Sequence, residues 1–403
     1  MQPSLSNDLL LSAASQFGTP LYVYHAEKIN EQYRKLTTAF SETDARFFYA
    51  CKALTNINVL RYVRSIGSGI DCSSSNEVHL ALKAGFEPEN ILYTSNGVSF
   101  SEIEEVARLG VHVNIDSLSN LEKFGNTFGY TVPVGVRLRP NIMAGGNLKI
   151  STGHDKSKFG IPVEQIEEVA ALRIKYNLQV KTLHIHTGSD IKDASVFTQG
   201  LEVLFHCVHH FPDLKVLDLG GGFKVPYHPS EKETDLKAIA GEIATTMDRF
   251  RNESGRNFQL WFEPGKFMVS NCGVLLTQVN VLKNNGNVVI AGVDTGLNHL
   301  IRPMIYDAYH HILNLSNPNG DVKPYMVTGY ICETDTFAED RPLPEISEGD
   351  VLCILNAGAY GFEMSSHYNS RFKPAELLVE NEEMKLIRRR ETLEDLLDTQ
   401  IES

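Results

Sequence analysis

The stretch FFYACKALTNINVL, Phe47 to Leu60, shows how most of this chain is put together. Its aromatic and small apolar residues read as a buried strand, and at the strand's end stands Lys52, a residue type rarely buried without a partner. Seven more apolar runs follow: GIDC (69–72), ILYTSN (91–96), VHVNID (111–116), PVGVRLRP (133–140), VKTLHIHTGS (180–189), LKVLDLGGG (214–222) and QLWFEPGK (259–266). Between them lie amphipathic stretches such as SEIEEVARLG and PVEQIEEVAALRIKY, with apolar residues at i, i+3 and i+4 spacing. Strand–helix units repeated in this way predict an α/β chain with a closed (β/α)8 barrel rather than an open sheet.

After Lys266 the texture changes. GVLLTQVNVLKNN, NVVIAGVD, KPYMVTGYICE, GDVLCILNA and PAELLVENEEMKLIRRR are strand-like, with turn punctuation and few helical patterns. They predict a second, mainly β domain, which PLYVYH (20–25) is expected to join. The expected division is a barrel over 26–270 and a β domain made of 1–25 with 271–403. The loop NIMAGGNLKISTGHDKSKFG (141–160) is long and Gly-rich, as functional loops in compact domains often are, and is the expected closing loop.

Of the 403 residues, 42% are hydrophobic and 22% charged, as in soluble globular proteins with a sizeable core. A formal charge of -13 leaves no basic excess for a nucleic-acid backbone. No apolar run approaches the ~20 residues that span a bilayer, and the N-terminus lacks the basic and apolar regions of a signal peptide. The six cysteines form no CxxC pair, which suits a reducing cytoplasm.

A barrel of this kind carries its chemistry at the C-terminal ends of its strands. Those ends hold Lys52, Asp71, Asn96, Asp116, Arg137, His184, His186, Ser189, Gly220 to Gly222 and Glu263 to Lys266. The three glycines of LDLGGGF let the backbone approach a ligand and aim N–H groups at an anion. They also suit a plain strand-to-helix turn. Glu263 of EPGK follows an apolar run, where an unpaired carboxylate is costly; a protonated ring nitrogen suits it, and so does a structural ion pair. His184 and His186 have the spacing of a metal pair, with Asp71, Asp116 or Asp218 to complete the set, but equally of one packed histidine and one lying flat on an aromatic ring. A desolvated Lys52 has a depressed pKa and becomes a nucleophile towards carbonyls. Together with a phosphate cradle and a carboxylate for a ring nitrogen, it points to pyridoxal 5'-phosphate held as a Schiff base, with no metal.

The chain resembles the barrel-type (fold type III) pyridoxal-phosphate decarboxylases over nearly its whole length. The markers are FYACKAL, GIDCSSSNEVHLALKAGF, HIHTGSDI, LDLGGGF, EPGKFMVS, NHLIRPMIYDAYHHI, GYICETDTF and NAGAYGFEMSSHYNSRFKPAE. The resemblance implies that Lys52 carries the cofactor, that His186 stacks on its ring and that Ser189 supports its polar edge. Gly220, Gly221, Gly222, Gly265 and Tyr360 are then expected to hold its phosphate, with Lys266 nearby and Glu263 on the ring nitrogen. Cys332 is expected to reprotonate the α-carbon. Arg302 and Tyr306 are expected to take a distal carboxylate of the substrate, with Tyr360 and Lys266 beside them, and Glu333 a distal amine.

That combination implies decarboxylation of meso-2,6-diaminopimelate to L-lysine. The alternative is a same-fold enzyme acting on carboxynorspermidine or another basic amino acid. The segment with Cys332 and Glu333 is expected to serve the neighbouring subunit of a homodimer, with no nucleic-acid or membrane partner. Two motifs depart from the commoner family pattern. EPGR reads EPGK, so Lys266 keeps the charge and loses the guanidinium fork; CESGD reads CETDTF, which changes the loop beside Cys332 and Glu333.

Overall fold

The computed structural model describes residues 1–142, 157–286 and 288–401. Residues 143–156, most of the loop expected to close the site, lie outside the described residues. The chain divides into two compact units: Met1–Asn30 with Pro226–Lys232 and Met268–Ser403, and Glu31–Val225 with Glu233–Phe267.

The second of these units is a closed parallel barrel. Its strands are β1 (Ala45–Ala50), β2 (Gly69–Cys72), β3 (Ile91–Thr94), β4 (His112–Ile115), β5 (Val134–Arg139), β6 (Val180–Ile185), β7 (Val216–Asp218) and β8 (Gln259–Phe262). Each pairs with the next, and β8 returns to β1 with Phe262 opposite Phe47, which closes the ring. All eight expected strands are present.

Alternation along the strands separates two environments. Phe47 and Phe262 face outward and stack at 5.4 Å between ring centroids, with Phe40 4.8 Å from Phe262. Phe48, Leu92, Val216 and Trp261 pack together as a core cluster of buried residues. Burying each such side chain stabilises the fold by roughly 1.5–3 kcal/mol. Glycines make room for this layer: a Cβ at Gly69 would meet the Phe48 ring at 2.4 Å, and one at Gly135 would meet Asn114 Oδ1 at 1.9 Å.

At the strand C-termini the chain turns into helices through polar caps. Ser74, Ser99 and Ser117 accept from the amides of Glu77, Glu102 and Asn120, and Asp235 accepts from that of Ala238. Each cap satisfies a backbone donor that the helix leaves open, worth about 1 kcal/mol.

The other unit holds a nine-stranded sheet. Leu21–His25 sits inside it, antiparallel to the start of Gly273–Asn285 and parallel to Ala375–Glu380. The long Gly273–Asn285 strand changes partners along its length, from Val351–Ile354 to Val288–Val293, with an irregularity between Val279 and Val281. Thr336–Pro344, which the sequence reading did not pick out, is the strand at one end of the sheet path. Its run AEDRPLP has no clean alternation, and an edge position tolerates its prolines. Glu376, fully buried in this unit, accepts from Tyr24 Oη at 2.8 Å and from Arg388 Nε. No described helix is long and apolar enough to cross a membrane.

Candidate active site

Above the apolar floor of the barrel, the inward positions turn polar. Asp71, Thr94, Asn114, Arg137, His184, Asp218 and Glu263 are all buried. Register aligns Arg137 with His184 and His184 with Asp218 on neighbouring strands. Thr94 Oγ1 donates to Glu263 Oε1 at 3.4 Å and receives Asn114 Nδ2 at 3.0 Å. His184 Nε2 lies 3.4 Å from Glu263 Oε2.

Several of these groups lack hydrogen-bond partners among the described residues: both oxygens of Asp71, both ring nitrogens of His184 and Oδ2 of Asp218. Buried polar atoms are normally paired, so such a cluster marks a place reserved for something other than stability.

Charge sorts itself among the three carboxyls. Burial, then the nearby Glu263 charge, pushes Asp71 and Asp218 well above the usual carboxylate range. Burial alone would raise Glu263 too, but His184 and Lys52 outweigh it and hold Glu263 below that range. Glu263 therefore keeps the negative charge while its neighbours tend to stay protonated, as three close carboxyls cannot all ionise.

Lys52 lies in the short turn Cys51–Ala53 that ends β1, with Nζ 3.9 Å from Asp71 Oδ2. Its side chain is 47% exposed, so the expected desolvation is not met by the protein's own atoms. His186 is half-buried just past the end of β6, and its Nδ1 receives the Gly221 amide at 3.3 Å. Burial lowers its pKa to about 3, helped by the Arg137 and Lys52 charges. The ring is thus neutral, and the accepting role of Nδ1 assigns its proton to Nε2.

The triple-glycine turn is sterically required. Gly220 and Gly222 have φ of 66° and 104°, and a Cβ at Gly221 would sit 2.3 Å from the Glu263 carbonyl oxygen. The expected free row of amides is only partly realised. Gly220 N donates to Asp218 Oδ1 at 2.9 Å and Gly221 N to His186, leaving Gly222 as the amide of the three with the clearest claim on an anion. Gly265 packs tightly on β1, where a Cβ would stand 3.1 Å from Ala50 Cβ. Ser189 is half-buried in the loop after β6. Lys266, also half-buried, forms an ion pair with Asp190, a residue the sequence reading gave no role.

The histidine pair does not form the metal set. Among the described residues, the group whose ligand atoms come within 4.8 Å of one another is His184, Asp218 and Glu263, without His186.

In the β unit, Arg302 opens the short helix Arg302–Tyr306. Its guanidinium carbon lies 5.5 Å from the Tyr227 ring centroid, 5.7 Å from Tyr306 and 5.9 Å from Tyr360. Its Nε is buried with no hydrogen-bond partner among the described residues. Tyr360 has a φ of 55°, a conformation uncommon for a bulky residue. Cys332 and Glu333 are exposed; Cys332 Sγ receives Asn369 Nδ2 at 3.2 Å, and Glu333 Oε1 receives Tyr368 Oη at 2.5 Å. Tyr227, Tyr368 and Asn369 were not singled out from the sequence, where no local pattern links them to residues 302, 332 and 333.

A polar barrel mouth with a lysine at the β1 end, an ionised glutamate at the β8 end and a glycine turn between flanking strands defines a pyridoxal-phosphate barrel. Residues 26–270 match the family described as "Pyridoxal-dependent decarboxylase, pyridoxal binding domain", and the chain belongs to that family.

The more specific similarity is to diaminopimelate decarboxylases. The protein of that name from Methanothermobacter thermautotrophicus is 41% identical, covering 95% of this chain and 92% of that protein. A crystal structure of a diaminopimelate decarboxylase superposes with a TM-score of 0.90 at 33% identity, over 99% of this chain and 97% of that one. The Helicobacter pylori diaminopimelate decarboxylase, solved in complex with L-lysine, gives 0.88 at 32% identity, over 96% and 98% of the two chains.

Proposed function

We propose that this chain is a lyase that uses pyridoxal 5'-phosphate to decarboxylate meso-2,6-diaminopimelate to L-lysine and carbon dioxide, the last step of lysine synthesis. The observation that carries the reading is the buried, ionised Glu263 among unpartnered polar groups at the barrel mouth. A carboxylate held charged there keeps a ring nitrogen protonated, which favours decarboxylation over chemistry that needs a weaker electron sink.

When bound, the cofactor supplies the sink for the electron pair left as the C–CO2 bond breaks. The protein's own residues do the rest. Lys52 Nζ would hold the cofactor at its aldehyde carbon, and as a free amine it would accept protons. Gly222 and Gly265 would hold the phosphate, with Gly220 and Gly221 shaping the turn; the part expected of Tyr360 rests on the family resemblance alone. The His186 ring would support the cofactor ring, Ser189 would support its polar edge, and Glu263 would accept a hydrogen bond from a protonated ring nitrogen.

Arg302, with Tyr306, binds the substrate's distal carboxylate; its unpartnered buried Nε is the donor that supports this assignment. Glu333 binds the distal ammonium, and Cys332 Sγ delivers a proton to the α-carbon. Lys266 is assigned to the rim beside the substrate, its charge balanced by Asp190. The extent of the family match supports a cofactor-binding domain over 26–270, which would leave 1–25 with 271–403 as the β domain; the compact units differ in giving 26–30 and Pro226–Lys232 to the β unit and in ending the barrel unit at Phe267.

We assign a homodimer in which Cys332 and Glu333 serve the neighbouring subunit's site, working in a reducing cytoplasm. Their exposure supports this, as does the absence of disulfides among the described cysteines. Incubating the holoenzyme with meso-diaminopimelate should yield L-lysine and carbon dioxide in equal amounts; no lysine overturns the assignment. Shared sites have their own test. Mixing inactive Lys52→Ala and Cys332→Ala subunits should restore about a quarter of wild-type activity, because half the dimers then hold one intact site.

A further inference from the structure

The turn His367–Arg371 and the loop Tyr330–Asp335 touch through three side-chain pairs: Tyr368 with Glu333 at 2.5 Å, Asn369 with Cys332 at 3.2 Å, and the Arg371 guanidinium 4.1 Å from the Tyr330 ring centroid. Both partners are braced independently. Asp335, only 6% exposed, accepts the amides of Ile331 at 3.0 Å and Leu297 at 2.7 Å, so that residues 332–334 project from a buried anchor. That aspartate belongs to CETDTF, the motif that departs from the commoner family pattern. Across from it, Asn369 and Ser370 adopt φ of 57° and 53° in succession. Asparagine tolerates that conformation, whereas serine seldom adopts it, and backbone strain of this kind collects at functional sites.

We propose that Tyr368 and Asn369 are positioning residues: Tyr368 fixes the Glu333 carboxylate for the substrate's distal ammonium, and Asn369 fixes the Cys332 thiol for proton delivery. The inference rests on the roles assigned above to Cys332 and Glu333. The phenol engages Oε1 of Glu333 and leaves Oε2 for an ammonium hydrogen. The hydrogen bond to Glu333 raises the pKa of Tyr368, so the phenol stays a donor. Asn369 donates to sulfur, which leaves the single S–H hydrogen to be transferred to carbon. The same amide then solvates the sulfur after its proton has gone, until solvent reprotonates it.

The test is steady-state kinetics of the pyridoxal-phosphate-loaded enzyme with meso-diaminopimelate, alongside thermal melting. Tyr368→Phe should raise KM about tenfold with kcat within about twofold of wild type, the loss of one hydrogen bond to a charged group. Asn369→Gly keeps the left-handed backbone and removes the donor; Asn369→Asp keeps the shape and swaps donor for acceptor. Both should lower kcat about tenfold with little change in KM, the pattern of an interaction used only at the transition state. Melting temperatures should not move.

Wild-type kinetics in Tyr368→Phe, or in both position-369 variants, overturns the corresponding half of the proposal. Losses that track a falling melting temperature reduce both residues to structural roles and overturn it too. Cys332→Ala and Glu333→Gln separate this from the underlying reading. If those two variants are also unimpaired, the roles of Cys332 and Glu333 fail; if they are impaired while the 368 and 369 variants are not, only this inference fails.

Discussion

Two buried carboxyls, Glu376 in the β unit and Asp218 in the barrel, are equally hidden from solvent at 0% exposure, and their surroundings could hardly differ more. Glu376 is engaged at both oxygens, by Tyr24 and by Arg388. Asp218 has one amide on Oδ1 and no hydrogen bond on Oδ2 among the described residues, with the ionised Glu263 and the His184 ring close by. A buried polar atom without a partner costs ~1–3 kcal/mol. The β unit avoids that cost at Glu376, whereas the barrel mouth accepts it repeatedly. The contrast separates a region organised for stability from one organised to receive a charged, ring-bearing ligand.

The strongest way to sharpen that contrast is to remove the amine. Lys52→Ala should lower kcat/KM at least ~10³-fold, and after borohydride reduction mass spectrometry should find no pyridoxyl group at residue 52. Activity within tenfold of wild type would break the scheme at its centre.

In the β unit the same operation should damage the fold. Glu376→Ala leaves Arg388 and the Tyr24 hydroxyl without their shared partner, and stability should fall by about 3 kcal/mol. Chemical denaturation measures it; a change below about 0.5 kcal/mol, the range of an ordinary surface substitution, shows that the network is ornamental.

A third test uses Arg302, a β-unit residue whose unpartnered Nε gives it the character of the barrel mouth. Arg302→Ala should reduce kcat/KM for meso-diaminopimelate about 10–100-fold, the worth of a charged hydrogen bond, with unfolding unchanged. Equal activity on that substrate before and after the change favours a substrate without a distal carboxylate.

The smallest expected effect is on pH dependence. The folded-state pKa of Asp218 is raised, so between the ordinary aspartate value near 4 and that raised value the folded state binds more protons than the unfolded one. Its contribution to stability is therefore full below about pH 4 and declines as pH rises. Asp218→Asn mimics the protonated form, so its stability relative to wild type should grow from pH 4 towards neutrality. A pH-independent difference between the two proteins, measured by denaturant unfolding, counts against a protonated Asp218.

Much of this was legible in the chain itself. The eight apolar runs, each ending in polar residues, located every barrel strand, and PLYVYH was rightly separated from them. Lys52, Glu263 and the glycines stood out because each is an awkward residue type at the end of a buried run. What escaped was pairing at a distance. Tyr227 reaches the Arg302 guanidinium from 75 positions earlier, and Asp190 pairs with Lys266 across 76 residues. No local period encodes either contact. Thr336–Pro344 escaped because its charges and prolines hide an edge strand.

The order and periodicity of the chain were sufficient for the barrel, since alternation decides which side chains face inward and repeated strand–helix units leave few ways to close a sheet. They also placed the polar residues at one rim. Only the folded chain decided which of them would be satisfied. Whether a buried atom finds a partner depends on strands far apart in sequence meeting around a closed ring, and that left Asp71, His184 and Asp218 with atoms lacking a hydrogen bond among the described residues while Glu376 was engaged at both oxygens.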